Sequence, residues 1–87
     1  MGMFSSPFLN ILPSIDVHGY TRDTVYTPVS IFIDDNIKLN NKKIAIIHGK
    51  GLGVLKEEIK NRFNKDKRVL KVYLSNENVG VTIIELK

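Results

Sequence analysis

The residues best suited to chemistry follow an apolar run over residues 44–47. His48 is followed by glycine at positions 49, 51 and 53, and Lys50 lies inside this glycine-rich loop. Glycine accepts positive φ and has no Cβ, so the backbone N–H groups of such a loop can approach an anion closely. A helix predicted to begin near Gly53 would add its own unpaired N–H groups and the positive end of its dipole. The stretch therefore predicts a loop that binds a phosphate-sized anion between a strand and a helix.

Two better-known phosphate loops do not fit this spacing. A Walker loop places its lysine after the last glycine and before Ser or Thr, whereas Lys50 precedes Gly51. A dinucleotide fingerprint has the spacing G-x-G-x-x-G inside a longer unit than this chain can supply. The glycines alone would fit a tight strand-to-helix turn equally well, but His48 and Lys50 favour a ligand loop.

A second histidine lies on a short predicted strand near the start of the chain. Residues 15–18 alternate apolar and polar, so Asp16 and His18 share one face of that strand. A strand, a helix and a strand in succession form a parallel pair, which would bring His18 and His48 to the same end of a sheet. An imidazole there could act as general acid or base beside the anion, with Asp16 orienting it or holding a metal. With Lys50 and the loop amides stabilising charge on a phosphate, this is the arrangement of a phosphodiesterase site.

Structural roles compete with these interpretations. A histidine at a strand end is often only a hydrogen-bonded structural group, and for His48 the two roles are equally supported. Asp16 could simply cap a turn. A zinc site is not expected, because two histidines and one aspartate lack the close ligand spacing of such sites.

The stretch Ile15-Asp16-Val17-His18-Gly19 resembles the L-D-L-H-G signature of the small MutS-related (Smr) domain. The stretch from His48 to Leu55 is similar to the second signature of that family, H-G-x-G-x-G-x-L, and the two lie in the family's order and about its spacing. The resemblance runs from Ser14 to the C-terminus. It implies the family's fold and endonuclease activity on DNA or RNA.

The motifs and the resemblance together give the candidate site residues. The candidate catalytic residues are Asp16, His18 and His48. The candidate contacts to phosphate or nucleic acid are Gly19, Gly49, Lys50, Gly51, Gly53, Lys56 and Lys60. No residue is assigned as a structural metal ligand.

One stretch departs from the family pattern. Smr domains often carry G-G-x-G-A-T before the last strand, and this chain has Glu77-Asn78-Val79-Gly80-Val81-Thr82 there. Gly80 and Thr82 are kept, and Asn78 could adopt the left-handed turn conformation of a glycine. Glu77 brings a carboxylate that would oppose nucleic-acid binding at this turn.

The elements that must position these residues follow from hydrophobic periodicity. Strands are predicted over residues 15–18, 43–47, 69–74 and 81–86, and helices over most of 22–38 and over 54–64. The order β-α-β-α-β-β predicts an α/β fold (an α+β two-layer sandwich) with two helices on a mixed four-stranded sheet. The Smr resemblance independently implies the same fold.

Two local features of these elements affect the packing. Pro28 either kinks the first helix or begins it, with Thr27 as N-cap and Pro28 at the first helical position. In the third strand, Leu70, Val72 and Leu74 are expected to share one face.

The net charge of +4 is distributed unevenly along the chain. Residues 41–71 contain ten lysines and arginines and three acidic residues, whereas the segments before and after carry a small net negative charge. We therefore expect a positive field centred on the glycine loop and its helix, where it would attract a polyanion. A solvated basic face without a partner is the alternative.

Length and composition predict one globular domain, with 43% hydrophobic and 25% charged residues in a chain of 87. We divide the chain into an apolar arm, residues 1–13, which could pack on the domain or mediate self-association, and an Smr-like domain, residues 14–87. No cysteine, no membrane-length apolar run and no basic region before the first apolar residues occur in it. These features favour a cytoplasmic protein without a membrane partner.

Three functions remain open at this point. The first is an endonuclease that cleaves or nicks a backbone by hydrolysis or transesterification. RNA could supply its own 2′-hydroxyl without a metal, whereas DNA needs water as nucleophile and would favour Mg²⁺. The second is a non-catalytic module for nucleic acid or the ribosome, because the Smr fold resembles the C-terminal domain of a bacterial translation initiation factor. The third is a module that self-associates through the arm, and the sequence favours nucleic-acid binding over it.

Overall fold

The computed structural model describes residues 12–51 and 53–87, which form two helices packed on a four-stranded sheet. The elements are β1 (Ser14–Asp16), α1 (Tyr26–Lys38), β2 (Lys43–Ile47), α2 (Val54–Phe63), β3 (Val69–Leu74) and β4 (Val81–Leu86). Their order confirms the fold predicted from the sequence. The predicted arm lies outside the described residues except for its last two. No helix in the described part of the chain is long and apolar enough to cross a membrane.

The order of the strands across the sheet decides which loops meet. The strands lie in the order β1-β2-β4-β3, with β1 parallel to β2, and β4 antiparallel to both β2 and β3. The ends of β1, β2 and β3 and the start of β4 therefore lie together, and we call this the upper end of the sheet. The two predicted motifs follow β1 and β2, so both lie at the upper end.

The core lies between the helices and one face of the sheet, because apolar side chains recur at the period of each element. In β2, Ile44 and Ile46 are fully buried, and in β4 burial alternates so that Thr82, Ile84 and Leu86 point inward. The helices bury residues spaced three or four apart, namely Val29, Ile33 and Asn36 in α1 and Ile59 and Phe63 in α2. Burying each large apolar side chain contributes about 1.5–3 kcal/mol, so this layer holds the helices on the sheet.

The first helix covers most of the predicted range 22–38, but the structure corrects the roles considered for Pro28. The helix begins at Tyr26, and residues 21–25 form a separate turn. Pro28 is therefore neither a kink nor the first helical residue. It occupies the first turn, where a backbone N–H has no helical acceptor and its absence costs little. The helix ends at Lys38, and Asn40 then takes a left-handed φ of 62°.

The expected face of β3 is wrong for one residue. A bulge between Val69 and Lys71 shifts the pairing with β4 by one position. Leu70 occupies this bulge and is 64% exposed, whereas Val69 is buried in the core. Val72 and Leu74 keep the face predicted for them. Simple alternation fails here because a bulge inserts one residue and exchanges the two faces across it.

The described part of the N-terminal segment is attached to the sheet. Leu12 and Pro13 are half-buried, and the Pro13 carbonyl accepts a hydrogen bond from the Ala45 N–H at 2.9 Å. The contact with β2 therefore begins one residue before β1, which fixes the direction in which the chain enters the sheet.

Candidate functional site

Asp16, the last residue of β1, orients the imidazole of His18. The carboxylate Oδ1 accepts a hydrogen bond from the His18 backbone N–H at 3.1 Å and lies 2.5 Å from the imidazole Nδ1. An ionised carboxylate can only accept, so the network assigns the proton to Nδ1 and leaves Nε2 to exchange a proton with a ligand. The hydrogen bond from the His18 side chain lowers the pKa of Asp16, which keeps the carboxylate ionised at neutral pH. Both side chains are exposed, 74% for His18 and 52% for Asp16, so a macromolecule can reach them.

The parallel pairing of β1 and β2 brings the first motif against the second. The Val17 N–H donates to the Ile47 carbonyl at 2.8 Å, so His18 lies beside the loop that follows β2. A Cβ placed on Gly49 would lie 3.9 Å from the His18 Cβ. Both histidines line a cavity of about 200 Å³, the loop cavity, whose other lining residues are Gly49, Gly51, Gly53, Val54, Leu55 and Lys56. The expected juxtaposition of the two histidines is present in the structure.

His48 is buried and binds the surrounding protein through both ring nitrogens. It is 7% exposed, its Nε2 lies 2.8 Å from the Thr82 Oγ1, and its Nδ1 lies 3.0 Å from the Gly49 carbonyl oxygen. Because a carbonyl only accepts, Nδ1 must donate, and the neutral Nε2 then accepts from the Thr82 hydroxyl. Of the two roles that the sequence left open for His48, this geometry favours holding the loop in place.

The residue before β4 binds the loop backbone as well. The Gly80 carbonyl accepts hydrogen bonds from the His48 N–H at 2.9 Å and the Gly49 N–H at 3.0 Å. A Cβ at Gly80 would lie 3.1 Å from the Gly49 carbonyl carbon, so a larger residue would require the facing backbone to shift by a few tenths of an ångström. The Gly49 N–H is therefore committed to Gly80. An anion in the loop cavity must be bound by amides further along the loop and at the start of α2.

The remaining glycines differ in what they require. Gly53 takes a left-handed φ of 83° and is the N-cap of α2, whose first residues line the loop cavity. Gly51 also lines this cavity, but a Cβ there would meet nothing within 4 Å. A side chain at Gly51 would thus extend into open space beside the loop cavity without striking the described protein atoms. Gly19 is exposed, directly after His18, and is not among the residues that line the cavity.

The turn before β4 is closed by a side chain where the family often has glycine. The Asn78 Oδ1 accepts a hydrogen bond from the Gly80 N–H at 2.8 Å. Among the described residues, Asn40 is the only non-glycine residue with positive φ, so Asn78 does not adopt the left-handed conformation that was open to it. Glu77 is exposed in this turn. In place of the glycines often found in the family, the side-chain hydrogen bond of Asn78 therefore holds the turn. Glu77 adds a carboxylate that is exposed to solvent.

The basic residues do not form the single field that the sequence predicted. Lys50 is exposed in the loop, Lys56 lines the loop cavity, and Lys60 lies one turn further along α2. β2 and β3 begin at the other end of the sheet, and α2 runs towards that end. Six of the ten basic residues of the segment therefore lie away from the loop: Lys42, Lys43, Lys65, Lys67, Arg68 and Lys71.

The charge of Arg68 is also used inside the fold. Its Nε and Nη2 donate to the two carboxylate oxygens of Asp66 at 2.8 and 2.6 Å, and its Nη1 donates to Asp34 at 2.9 Å. These contacts lower the pKa of Asp66 and join the segment before β3 to α1. Arg68 is therefore a structural residue, and the field at the upper end comes from Lys50, Lys56 and Lys60.

Few oxygen and nitrogen donors are available for a metal ion. Within residues 12–51 and 53–87, no three His, Asp or Glu side chains are placed together to hold one. The Asp16 Oδ1 already faces two donors from His18. A magnesium ion at this site would take most of its ligands from substrate and water, as this cation often does.

Thr82, Gly80 and Asn78 are parts of the site that the sequence did not identify. Gly80 and Thr82 were recognised only as residues kept from the family pattern. A signal was present for Thr82, because the alternation in β4 places it on the core face beside Ile84. A buried hydroxyl there requires a hydrogen-bond partner, and the partner is His48.

The fold and the site define a class of protein. It is a two-layer α/β domain in which an aspartate and a histidine at the end of β1 lie beside a glycine-rich loop that leads into α2. The family model of the Smr domain matches residues 15–87, and the chain belongs to this family.

The chain is similar to several proteins named Endonuclease MutS2. It is 40% identical over 82 residues to that of Caldicellulosiruptor bescii and 36% identical over 81 residues to that of Finegoldia magna, matches that cover 90% of this chain. It spans only 10% of the length of each of these relatives. The crystal structure of the Smr domain of Thermus thermophilus MutS2 superposes with a TM-score of 0.83 at 25% identity, over 87% of this chain and 99% of that one.

Replacing Thr82 by valine tests the role of His48 in holding the loop. Thr82→Val keeps the shape of the side chain but leaves the buried His48 Nε2 without a donor. We expect the free energy of unfolding to fall by about 1–3 kcal/mol and the amide signals of Gly49 and Gly51 to shift. Urea denaturation and NMR measure the two effects.

Ile84→Val is the matched control, because Ile84 is the next inward residue of β4. It should cost about 0.5–1.5 kcal/mol and leave the loop signals in place. Unchanged loop signals in Thr82→Val would contradict the assigned role of His48.

Proposed function

We propose that this Smr domain binds the backbone of a nucleic acid with one phosphate in the loop cavity and cleaves that backbone with His18. The observation that carries the proposal is the imidazole of His18, held by Asp16 at the rim of a cavity formed by glycines and the first turn of a helix. Free amides at a helix start bind phosphate well, and Lys50 and Lys56 add positive charge. The relatives named as endonucleases match over most of this chain, which supports the same activity.

In this proposal each motif has a separate task. The amides after Gly49 and the ammonium groups of Lys50 and Lys56 bind the phosphate and stabilise the charge that develops on it. The Nε2 of His18 accepts the proton of the attacking hydroxyl, while Asp16 fixes the ring and stabilises the imidazolium that forms. His48 lines the loop cavity, but both of its ring nitrogens have partners in the protein, so its task in this proposal is to keep the loop in the conformation that binds the phosphate.

The nucleophile depends on the nucleic acid. In RNA the adjacent 2′-hydroxyl attacks phosphorus, its proton passes to His18, and the 5′-oxygen leaves and is protonated by water. In DNA a water molecule must attack, and Mg²⁺ would supply the activation of that water. Asp16 is the carboxylate of the site that could contact such an ion.

One observation favours a second candidate, a nucleic-acid-binding module that does not cleave. Both ring nitrogens of His48 are occupied inside the protein, so only His18 of the two histidines has a nitrogen for proton transfer. A site with one such group is a weaker catalyst than one with separate acid and base groups.

Binding is expected to depend on the lysines at the upper end. Charge reversal of Lys50, Lys56 and Lys60 together should weaken binding to every sequence by at least about tenfold and flatten the dependence of log Kd on log salt. Fluorescence anisotropy with labelled oligonucleotides at several salt concentrations measures both.

The matched control reverses Lys42, Lys65 and Lys67, which makes the same change in net charge away from the loop. It should weaken binding much less. Equal losses in the two triple variants would mean that net charge alone attracts the nucleic acid.

Gly51→Val tests the loop cavity directly. The valine side chain would occupy the place of the phosphate, and the open space around Gly51 lets the domain stay folded. We expect nucleic-acid binding to be lost with a nearly unchanged melting temperature, and Gly51→Ala should lie between parent and Gly51→Val. If Gly51→Val is folded and binds nucleic acid as tightly as the parent, the phosphate does not bind in this cavity.

Cleavage is expected to depend on His18. General acid or base catalysis contributes about 100-fold to 10,000-fold, so His18→Ala should lose that factor in the cleavage rate while it still binds and folds. Asp16→Asn should lose a smaller part of the rate because the ring is no longer oriented. Rates are measured on single-stranded RNA, branched DNA and supercoiled plasmid, each with Mg²⁺ and with a chelator.

Asp23→Asn is the control for an exposed aspartate near the first motif, and it should cleave like the parent. Equal cleavage rates for the parent and His18→Ala would mean that His18 is not responsible for any cleavage observed. The chain would then be the non-cleaving module.

A further inference from the structure

A second cavity adjoins the loop cavity and is not explained by phosphate binding. We call it the side groove; it has a volume of about 290 Å³ and lies between α2 and β3. Its walls include Lys56, Glu57 and Lys60 on one side and Val72, Leu74 and Thr82 on the other. Lys56 lines both cavities, and the Thr82 hydroxyl binds His48, which lines the loop cavity. The two cavities are therefore neighbours on either side of Lys56.

The side groove combines an apolar floor with positive charge. Val72 and Leu74 face the helix layer at the outer strand of the sheet, and Leu74 is 37% exposed, so the groove opens to solvent at its side. Lys56 and Lys60 lie one helical turn apart along its wall. The carboxylate of Glu57 on the same wall opposes a phosphate placed beside it. A ligand that fits has a flat apolar part for the floor and an anionic group near the two lysines.

We propose that the side groove binds an unpaired nucleotide adjacent to the phosphate in the loop cavity, so that the substrate is single-stranded at this position. The inference rests on the proposed function and specifies its substrate. The base or sugar packs on Val72 and Leu74, and the next phosphate lies near Lys56 and Lys60. Paired bases in a duplex have both faces covered by stacking, so a base must leave the stack to reach a floor between a helix and a strand.

The test compares single strands with duplexes. Fluorescence anisotropy is measured with a labelled ten-nucleotide RNA, the DNA of the same sequence, and the duplex of each. The parent protein should bind single strands about tenfold more tightly than duplexes. A strand with abasic sites, which keeps its phosphates, should lose most of that advantage.

Two leucines of β3 provide matched variants. Leu74→Asp changes the floor of the side groove, whereas Leu70→Asp makes the same change at the bulge, where Leu70 is 64% exposed. We expect Leu74→Asp to lose about tenfold for single strands and little for duplexes, and Leu70→Asp to match the parent. Leu74→Ser serves in the same role if the aspartate variant does not fold.

Inorganic phosphate separates this inference from the proposed function. In Leu74→Asp, phosphate should still shift the amide signals of Gly51 and Gly53. If the phosphate shifts are retained but the parent binds single strands, duplexes and abasic strands with equal affinity, the inference about the side groove is wrong and the proposed function is not affected. Absence of phosphate shifts in the parent, together with undiminished nucleic-acid binding by Gly51→Val, would overturn the proposed function and the inference that rests on it.

Discussion

The carbonyl oxygen of Gly80 accepts hydrogen bonds from two consecutive amides, those of His48 and Gly49, and the geometry of the upper end depends on this contact. Two consecutive N–H groups can share one acceptor only where the backbone between them departs from a regular strand, as it does in a β-bulge. After the shared contact, Gly49 takes a positive φ of 84° that turns the chain into the loop. A glycine at position 80 favours this close approach, because a Cβ there would lie 3.1 Å from the Gly49 carbonyl carbon. Once the loop is bound here, the His48 ring lies against Thr82 and the rest of the loop faces His18. The site is thus built by the contact of three strands that are distant in sequence.

The order of elements could be predicted because each has a clear hydrophobic period and the motifs fall on the loops between them. The wrong predictions concern local features that depend on tertiary contacts and leave no periodic pattern in the sequence. The bulge at Leu70 reverses the alternation in β3, and only the pairing with β4 shows that Val69 is the inward residue. The proline was misplaced because residues 21–25 form a turn that the pattern cannot distinguish from a first helical turn.

The site was predictable in its position and less so in the roles of its residues. The two histidines both follow a strand and precede a glycine, so the local sequence cannot separate them. Their difference comes from partners: Asp16 lies two residues before His18, whereas Thr82 lies 34 residues after His48. The extent of the positive field was also overestimated, because it too depends on the tertiary structure. The lysines and arginines of residues 41–71 belong to one segment of the sequence, but the chain reverses direction within it and places them at both ends of the sheet.

The hydrogen bonds of His48 to Thr82 and Gly49 limit the proposed chemistry, because they leave His18 as the histidine with a ring nitrogen for proton transfer. One oriented imidazole can take the proton from a nucleophile, but in the proposed hydrolysis of DNA the nucleophile is a separate water molecule that must also be positioned and activated. A 2′-hydroxyl is already part of an RNA substrate and is positioned by the phosphate itself. Within the proposed function, transesterification of an unpaired RNA would therefore need the fewest groups from the protein: amides and lysines for the phosphate, the side groove for the neighbouring nucleotide, and His18 for the proton.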